Sequence, residues 1–562
     1  MPSIISKRQG ARTYYYLVES ARVDGKPRIV SQQYLGSADE VVAKLAGEPA
    51  GAPVRSQHKE FGALAAVWSV LERLGVAAVV DEVAPRRADA AATTGTYVAL
   101  ATANRVVAPC SKAAFAQWWA GTAGPRFAKV PESAVDHRRF WEAMDRLGAE
   151  DLAAIETELG RRVVSEFSLD LTGLILDMTN FATFIDSGND KAPLAQRGKA
   201  KQKRVDLRLI GLAMVVTRDG GVPVPSRAYP GDRPDVTQFT GVIDELLDRY
   251  RALTSGVESL TVVYDAGQNS TANHERGQEA GIGFVGSLPP SDHPALLALP
   301  RSRYRLVDEA RYPGLSCVDT TVTALGVTRR AVLTHSPTLH AAQHRGFDQT
   351  LAKARSRLAA LQARLARGRT RKPREAVEAE IAAIVRPRWV SEVITPVLTG
   401  TEPADLRLSW RTDQAARRRL ENRVFGKRIL FTNRDAWTTA EVVAAYRSQS
   451  EVESGFRQLK DPHVVSFSPI HHWTDSKIRV HVFYCVLALT VAHLMRREAA
   501  RLGLDLSVRE LIGELAGIQE TVLLYHDGGK GRPRAQRMLT DMNDTQRRLA
   551  DLFGISRYAP TR

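Results

Sequence analysis

Three carboxylates stand out by their surroundings. Asp177 follows the apolar run GLIL, and a charged side chain beside buried neighbours is seldom fully buried without a partner. In isolation it also reads as a turn former or helix cap. Asp265 repeats the arrangement in LTVVYDAG, an apolar strand ending in Asp and small residues. Ligands of α/β sheets gather at the carboxyl ends of strands, so two such ends in one sheet would converge. Glu453 lies in YRSQSEVESGFRQLK, residues 446–460, whose spacing reads as a helix. Tyr446, Glu453 and Lys460 are each seven apart, drift by only about 20° per step and share a stripe with Gln449 and Arg457. Val452, Phe456 and Leu459 form an adjacent apolar stripe that can hold the helix against a sheet. Without the two aspartates this segment is an ordinary amphipathic surface helix.

Carboxylates are ligands for hard cations, and Mg²⁺ is usually held by one or two of them plus phosphate and water. A pair of such ions about 3.5–4 Å apart ionises an attacking oxygen and neutralises a leaving one at a phosphodiester. Three acids suffice for that, provided the elements between them bring them together. Asp177 and Asp265 are 88 residues apart, and Asp265 and Glu453 are 188 apart. The second gap exceeds what one strand, one helix and their loops require, so it must hold an insertion.

The elements that would position the acids read as strand, hairpin, helix, strand, helix, strand, which is α/β order. They are SLDLTGLILDMTNF, the pair of runs in LRLIGLAMVVTRDGGVPVPSRAYPG joined at DGG, a helix from about Val236, LTVVYDAG, NSTANHERGQEAG and GFVGSL. Upstream, Thr13–Glu19 and Arg28–Tyr34 alternate as strands about the turn DGKP, and helical periodicity takes over from about His58 to Leu159. Downstream come strand candidates TTVTALGV and RRAVLTH. A long helical pattern then runs from Asp348 to Val385, broken near Gly368 and Pro373. Its stretch Lys353–Arg374 holds nine Lys or Arg and no acid above the stripe Leu351, Ala354, Leu358, Leu361, Leu365, which reads as a solvated helix face or a DNA-contacting arm. KRILFTN is a last strand, followed by helices from about Thr439 to Lys460 and Lys477 to Glu498. From Asp505 the tail reads as helix, a turn at DGGKGRPR, then helix.

With 562 residues the chain exceeds one compact domain. Its 78 Lys and Arg against 62 Asp and Glu leave a net charge of +16, which attracts polyanions in a salt-dependent way. Three scattered cysteines without a CxxC pair fit a reducing cytosol. The N-terminus has no apolar signal core, and the run Val482–Met495 reads as too short for the ~20 residues of a membrane helix.

These residues resemble bacterial insertion-sequence transposases of the DDE class that carry a Tyr, Arg, Glu, Lys signature on the third-acid helix. Tyr446, Glu453 and Lys460 fall on signature positions. The likeness extends through DMTNF, RGKAKQKRVDLRLIGLAMVVTRDGGVPV, PGDRPD, YDAGQNSTAN, LFTNRDAWTTAEVVAAYRSQSEVESGFRQLKDP and RVHVFYCVLALTVAHLM, and back to GKPRIVSQQYLG. The signature Arg is replaced by Gln449, and the neighbouring Trp of relatives by Ser450; Arg447 or Arg457 is a candidate for the missing charge. The resemblance implies a ribonuclease-H-like mixed α/β sheet with flanking helices, interrupted by a β-rich insertion that covers the cut end. Helical modules would lie at either terminus. Asp177 would bridge two Mg²⁺ ions, with Mn²⁺ able to substitute, while Asp265 and Glu453 each serve one ion. Tyr446, Arg447, Arg457 and Lys460 would contact DNA. The implied reaction frees a transposon end and drives its 3′-hydroxyl into target DNA. Double-stranded DNA, as terminal inverted repeats and target, is the expected partner of a homodimer in the bacterial cytoplasm at the nucleoid, without membrane or nucleotide cofactor.

The expected division is a basic β unit (1–56), a helical DNA-end-binding module (57–165), a first core segment (166–300), the insertion (301–428), a second core segment (429–500) and a helical, dimerising tail (501–562). Gly281, Gly283 and Gly286 spell a dinucleotide pattern, but they follow a helix-like stretch instead of a strand. His481 and His493 read as satisfied core histidines. Two further readings stay open: a ribonuclease-H-like nuclease that cuts without joining, and a DNA-binding regulator without activity.

Overall fold

The computed structural model describes all residues except 1, 11, 24–25, 46–52, 86–89, 187, 199–205, 254–259, 370, 526–533 and 562. By contact density the chain forms two compact units, one from residues 1–70, 110–140 and 499–562, the other from 71–109 and 141–498. Each gathers separated stretches instead of the consecutive segments expected, and the helical stretch 57–165 is divided between them.

The first unit contains β1 (Pro2–Gln9), β2 (Arg12–Val23) and β3 (Lys26–Ser37) in an antiparallel meander. The latter two were expected; β1 was not. The turn residues Asp24 and Gly25 lie outside the described residues. β4 (Arg55–Glu60) pairs with Gln519–Tyr525, which pairs in turn with Arg534–Leu539. The tail is therefore not purely helical: it carries two strands, and most of its expected turn falls outside the described residues. Buried Glu520 and Val522 alternate with more accessible neighbours in the first of them, a period of two that helical periodicity cannot satisfy. Helices Gly62–Arg73 and Phe115–Ala120 form where the apolar spacing placed them.

The second unit is built on one sheet. Its strands are β5 (Gly173–Thr183), β6 (Arg208–Thr217), β7 (Pro223–Pro230), β8 (Thr261–Val263), β9 (Gly283–Leu288), β10 (Arg305–Leu306), β11 (Ser316–Ala324) and β12 (Val327–His335). A separate ribbon, β13 (Ile394–Thr399) with β14 (Arg407–Thr412), precedes the last strand of the sheet, β15 (Lys427–Thr432). The order across the nine strands is β10-β11-β12-β15-β9-β8-β5-β6-β7. β8 and β9 run parallel to β5, and the other neighbouring pairs are antiparallel. β6 is buried along its whole length, which is why it reads as a continuous apolar run without alternation. The β6–β7 turn requires left-handed backbone at Gly220 (φ 83°) and Gly221 (φ 62°), where a Cβ would be strained.

The stretch expected as a β-rich insertion differs. Its strands β10–β12 widen the main sheet, and the part that leaves the sheet, Pro337–Val424, is mainly helical, with the β13–β14 ribbon attached. Helix Pro337–Ala366 begins at the Ser336 cap, whose hydroxyl accepts from Leu339 N, and ends before Gly368 (φ 61°); Arg374–Val385 follows Pro373. The break falls where expected, and the five stripe residues are all buried. They share a core with Phe347, Val377, Ile381 and the sheet residues Leu333, Ile429 and Phe431. Fully burying each of the larger of these side chains, the leucines, valine, isoleucines and phenylalanines, is worth about 1.5–3 kcal/mol.

Helix Asp475–Arg501 is longer than the apolar run suggested and, contrary to the sequence reading, meets the length and hydropathy of a membrane span; 94% of its most apolar window is buried inside the protein. It is a core helix. The dinucleotide-like glycines precede and enter β9, with Gly281 in a turn (φ 70°).

Candidate active site

β5 and β8 pair in parallel, Gly173 with Thr261, Leu174 with Val262 and Ile175 with Val263. Asp265 keeps extended backbone (φ −88°, ψ 165°) before the short helix Ala266–Gln268. Two residues beyond the last pair, Asp177 and Asp265 have the parity of Ile175 and Val263, neighbours on strands about 4.8 Å apart. Asp177 is not at a strand tip, as expected, but in the middle of β5. That strand continues because β6 goes on pairing with it, Asp177 opposite Met214 and Thr183 opposite Arg208. Asp177 is half-buried and accepts from Met178 N at 2.8 Å; Asp265 is exposed.

The helix Gln449–Lys460 lies across β5 and β6 and buries Val452, Gly455, Phe456 and Leu459. At its end Lys460 Nζ donates to Thr179 Oγ1 at 2.7 Å and stands 5.3 Å from the Phe181 ring centre. Thr179 and Phe181 share the Asp177 face by the two-residue period of a strand. One turn back, a Cβ on Gly455 would come within 3.1 Å of Met214 Cε, and Met214 is the cross-strand partner of Asp177. The helix thus crosses the sheet at the level of Asp177, two residues from exposed Glu453. Its back is moored to the core helix, where Arg496 Nη2 donates to Glu451 at 2.7 Å, and Gln458 packs beside His493, whose Nδ1 donates to Gly221 O. Burial pushes His493 down to about 3, so it is neutral.

Tyr446 does not share this helix. Helix Thr439–Arg447 ends at Ser448, whose hydroxyl bonds back to Ala445 O, and a new helix starts at Gln449. Such back-bonding competes with the regular ladder. Tyr446 is buried, and its hydroxyl donates to Asp265 Oδ1 at 3.4 Å; Ser287 Oγ, on β9, donates to the same oxygen at 3.2 Å. Burial raises the Tyr446 pKa, so the phenol stays a donor. The Arg428 guanidinium lies 5.0 Å from the Tyr446 ring centre, and that of Arg447 lies 4.4 Å from the Tyr312 ring centre. Arg457 is exposed. Of the four residues expected at DNA, Tyr446 and Lys460 hold the acid-bearing elements in place, while Arg447 and Arg457 face solvent. Gln449 and Ser450 open the third-acid helix.

Sequence reading missed Ser287 and Thr179. Ser287 had a signal, since it closes an apolar strand parallel to the one before Asp265; Thr179 had none beyond its strand. His481 and His493 are satisfied in the core, bonded to Phe467 O at 2.8 Å and Gly221 O at 2.6 Å. Among the described residues, no three His, Cys, Asp or Glu side chains stand close enough to share a metal ion. The donors are chemically right for a hard dication, two of them side by side and solvent-accessible.

Residues 170–490 match the family model described as transposase DDE domain, more than half the chain, and the chain belongs to that family. It is a transposase, an enzyme that cleaves DNA and transfers strands. Enzymes of this family use divalent metal ions. No curated protein matches the chain. Its structure is similar to one described as "Cryo-EM structure of piggyBac transposase synaptic complex with hairpin DNA", at 10% identity and a TM-score of 0.38, with 82% of each chain covered.

Proposed function

We propose that Asp177, Asp265 and Glu453 are the three catalytic carboxylates and that they hold two Mg²⁺ ions, for which Mn²⁺ can substitute. The carrying observation is the register of β5 and β8, which gives Asp177 and Asp265 the parity of the neighbours Ile175 and Val263, with the Glu453 helix crossing above the strand partner of Asp177. When bound, such ions activate an attacking water or 3′-hydroxyl and neutralise the leaving oxygen. The protein's part is positioning. Tyr446 and Ser287 donate to one Asp265 oxygen and leave the other for a ligand; Lys460 and the Arg496–Glu451 pair fix the helix that presents Glu453.

The order β7-β6-β5-β8-β9, three antiparallel strands then two parallel ones, supports a ribonuclease-H-like core widened by β15 and β10–β12. On the same reading the chain is a bacterial insertion-sequence enzyme of the Tyr-Arg-Glu-Lys group, acting in the cytoplasm on terminal inverted repeats and target DNA as a homodimer. Residues 57–165 then serve the DNA end, and 501–562 dimerisation.

The test is strand transfer of a pre-cleaved end from the element's own terminus in Mg²⁺. We expect joined product with the parent and a loss of at least about 10²-fold for Asp177→Asn, Asp265→Asn and Glu453→Gln. Cutting without joining would select the nuclease reading. Unchanged activity in the three variants would refute the carboxylate assignment.

A further inference from the structure

The helical stretch 337–424 holds eighteen Lys or Arg against nine Asp or Glu, which is more than half of the net charge of +16 in under a sixth of the chain. Its place in the sheet fixes where that stretch is rooted. β9 runs parallel to β8; β15 runs against β9, Ile429 opposite Leu288; and β12 runs against β15, His335 opposite Lys427. The ends of β8, β9 and β12 and the start of β15 therefore lie along one sheet edge, the edge that carries Asp265 and Ser287. The helical stretch leaves the sheet after His335 and returns before Lys427, both at that edge.

Its own contacts set inside from outside. Leu351, Ala354, Leu358, Leu361 and Leu365 are buried against the shared core, so the opposite face of Pro337–Ala366 looks outward. Some of the cations are neutralised: Arg364 and Lys372 share Glu380, and Arg374 pairs with Glu378. Lys353, Arg357, Arg367, Arg369 and Arg371 are exposed and form no ion pair among the described residues. Five such charges on one helix and the turn after it repel one another, and nothing apolar is gained by their exposure. A polyanion with regularly spaced charges is the partner that relieves this, and duplex DNA presents one phosphate per ~1.7 Å of axis.

We propose that this outward face, carrying Lys353, Arg357, Arg367, Arg369 and Arg371, is a sequence-independent binding surface for the phosphate backbone of duplex DNA. It rests on the reading of Asp177, Asp265 and Glu453 as the place where DNA is cut. Arginine contacts to phosphate position a duplex without reading its bases, so element ends and unrelated duplex should be held alike.

The experiment measures DNA affinity of the full chain against salt, using an element-end duplex and a scrambled duplex of equal length, for the parent and R367Q/R369Q/R371Q. Each lost phosphate contact lowers the slope of log K against log salt by about 0.9. We expect the slope to fall by about two to three on both duplexes, with an unchanged melting temperature because the three side chains are exposed. K353Q/R357Q should lower it by about one to two, and R364Q, whose partner is Glu380, by less than one. An unchanged slope in both multiple variants, a loss confined to the element end, or a loss of self-association in place of DNA affinity would each overturn the proposal. Failure of the catalytic reading appears separately, as parent protein that joins no DNA while the slopes shift as stated.

Discussion

Ser287 shows how much of a carboxylate's behaviour depends on its neighbours. Its hydroxyl and that of Tyr446 share one oxygen of Asp265, so removing either frees the carboxylate to rotate away from Asp177. Losing a partner that orients a ligand typically costs 10- to 100-fold in metal affinity or activity. For Ser287→Ala we expect about a tenfold weaker half-saturation by Mn²⁺ in strand cleavage with the folded state intact. An unaltered Mn²⁺ titration would remove Ser287 from the site. His493 offers a test by pH. It is neutral in the folded chain, its pKa pushed from 6.5 to about 3 by burial, whereas the unfolded chain takes up the proton near 6.5. Its contribution is complete above pH 6.5 and is lost as pH falls toward 3. The melting temperature of the parent should drop more steeply between pH 6.5 and 4 than that of His493→Gln; parallel curves would contradict this. Both aspartates were legible in the sequence because each follows an apolar run. Ser287 carried a signal only in its place near the end of an apolar strand, and Thr179 carried none, since a hydroxyl in a strand looks the same whether or not it faces a carboxylate across the sheet.

At the level of elements, the crossing of Gln449–Lys460 over β5 and β6 depends on Gly455. An alanine there gains about 0.8–1 kcal/mol of helix propensity but sets a methyl 3.1 Å from Met214 Cε and 3.2 Å from Leu489 Cδ2, and overpacking costs typically 1–3 kcal/mol. The cost wins. Gly455→Ala should be destabilised by up to about 2 kcal/mol in chemical denaturation and lose activity beyond that, because the helix that carries Glu453 must shift on β6. Full activity would show that the crossing distance is not critical. Periodicity located this helix and its buried stripe, yet it joined Tyr446 to the same helix, because the interruption at Ser448 arises from a side chain bonding its own backbone and leaves the apolar spacing untouched. The opposite error occurred at β5, where a charged residue looked like the end of a strand. There the pairing with β6 decided, a partner 25 to 43 residues away in the register.

For the whole molecule, the sheet of the second unit and the acids on it followed from local pattern, whereas the division into units did not. Each unit is assembled from distant stretches, and contacts between residues far apart in sequence leave no local trace. The same holds for the stretch expected as β-rich: its two strand candidates were real, but which sheet they join is a matter of tertiary pairing. If the three carboxylates repel one another until a dication enters, Mg²⁺ or Mn²⁺ at millimolar concentration should raise the melting temperature of the parent by a few degrees through mass action. Asp177→Asn should melt higher than the parent without metal and respond less to it. Equal responses of the two proteins would argue against a shared site.

β15 enters the sheet between β9 and β12, strands made long before it, and only after it does the chain deliver Glu453. A chain still on the ribosome thus owns two of its acids but not the third, and the neighbours of β15 wait for a late arrival to join them. On the proposed assignment of the three carboxylates, an enzyme that severs DNA gains its last acid only in the final fifth of the polypeptide.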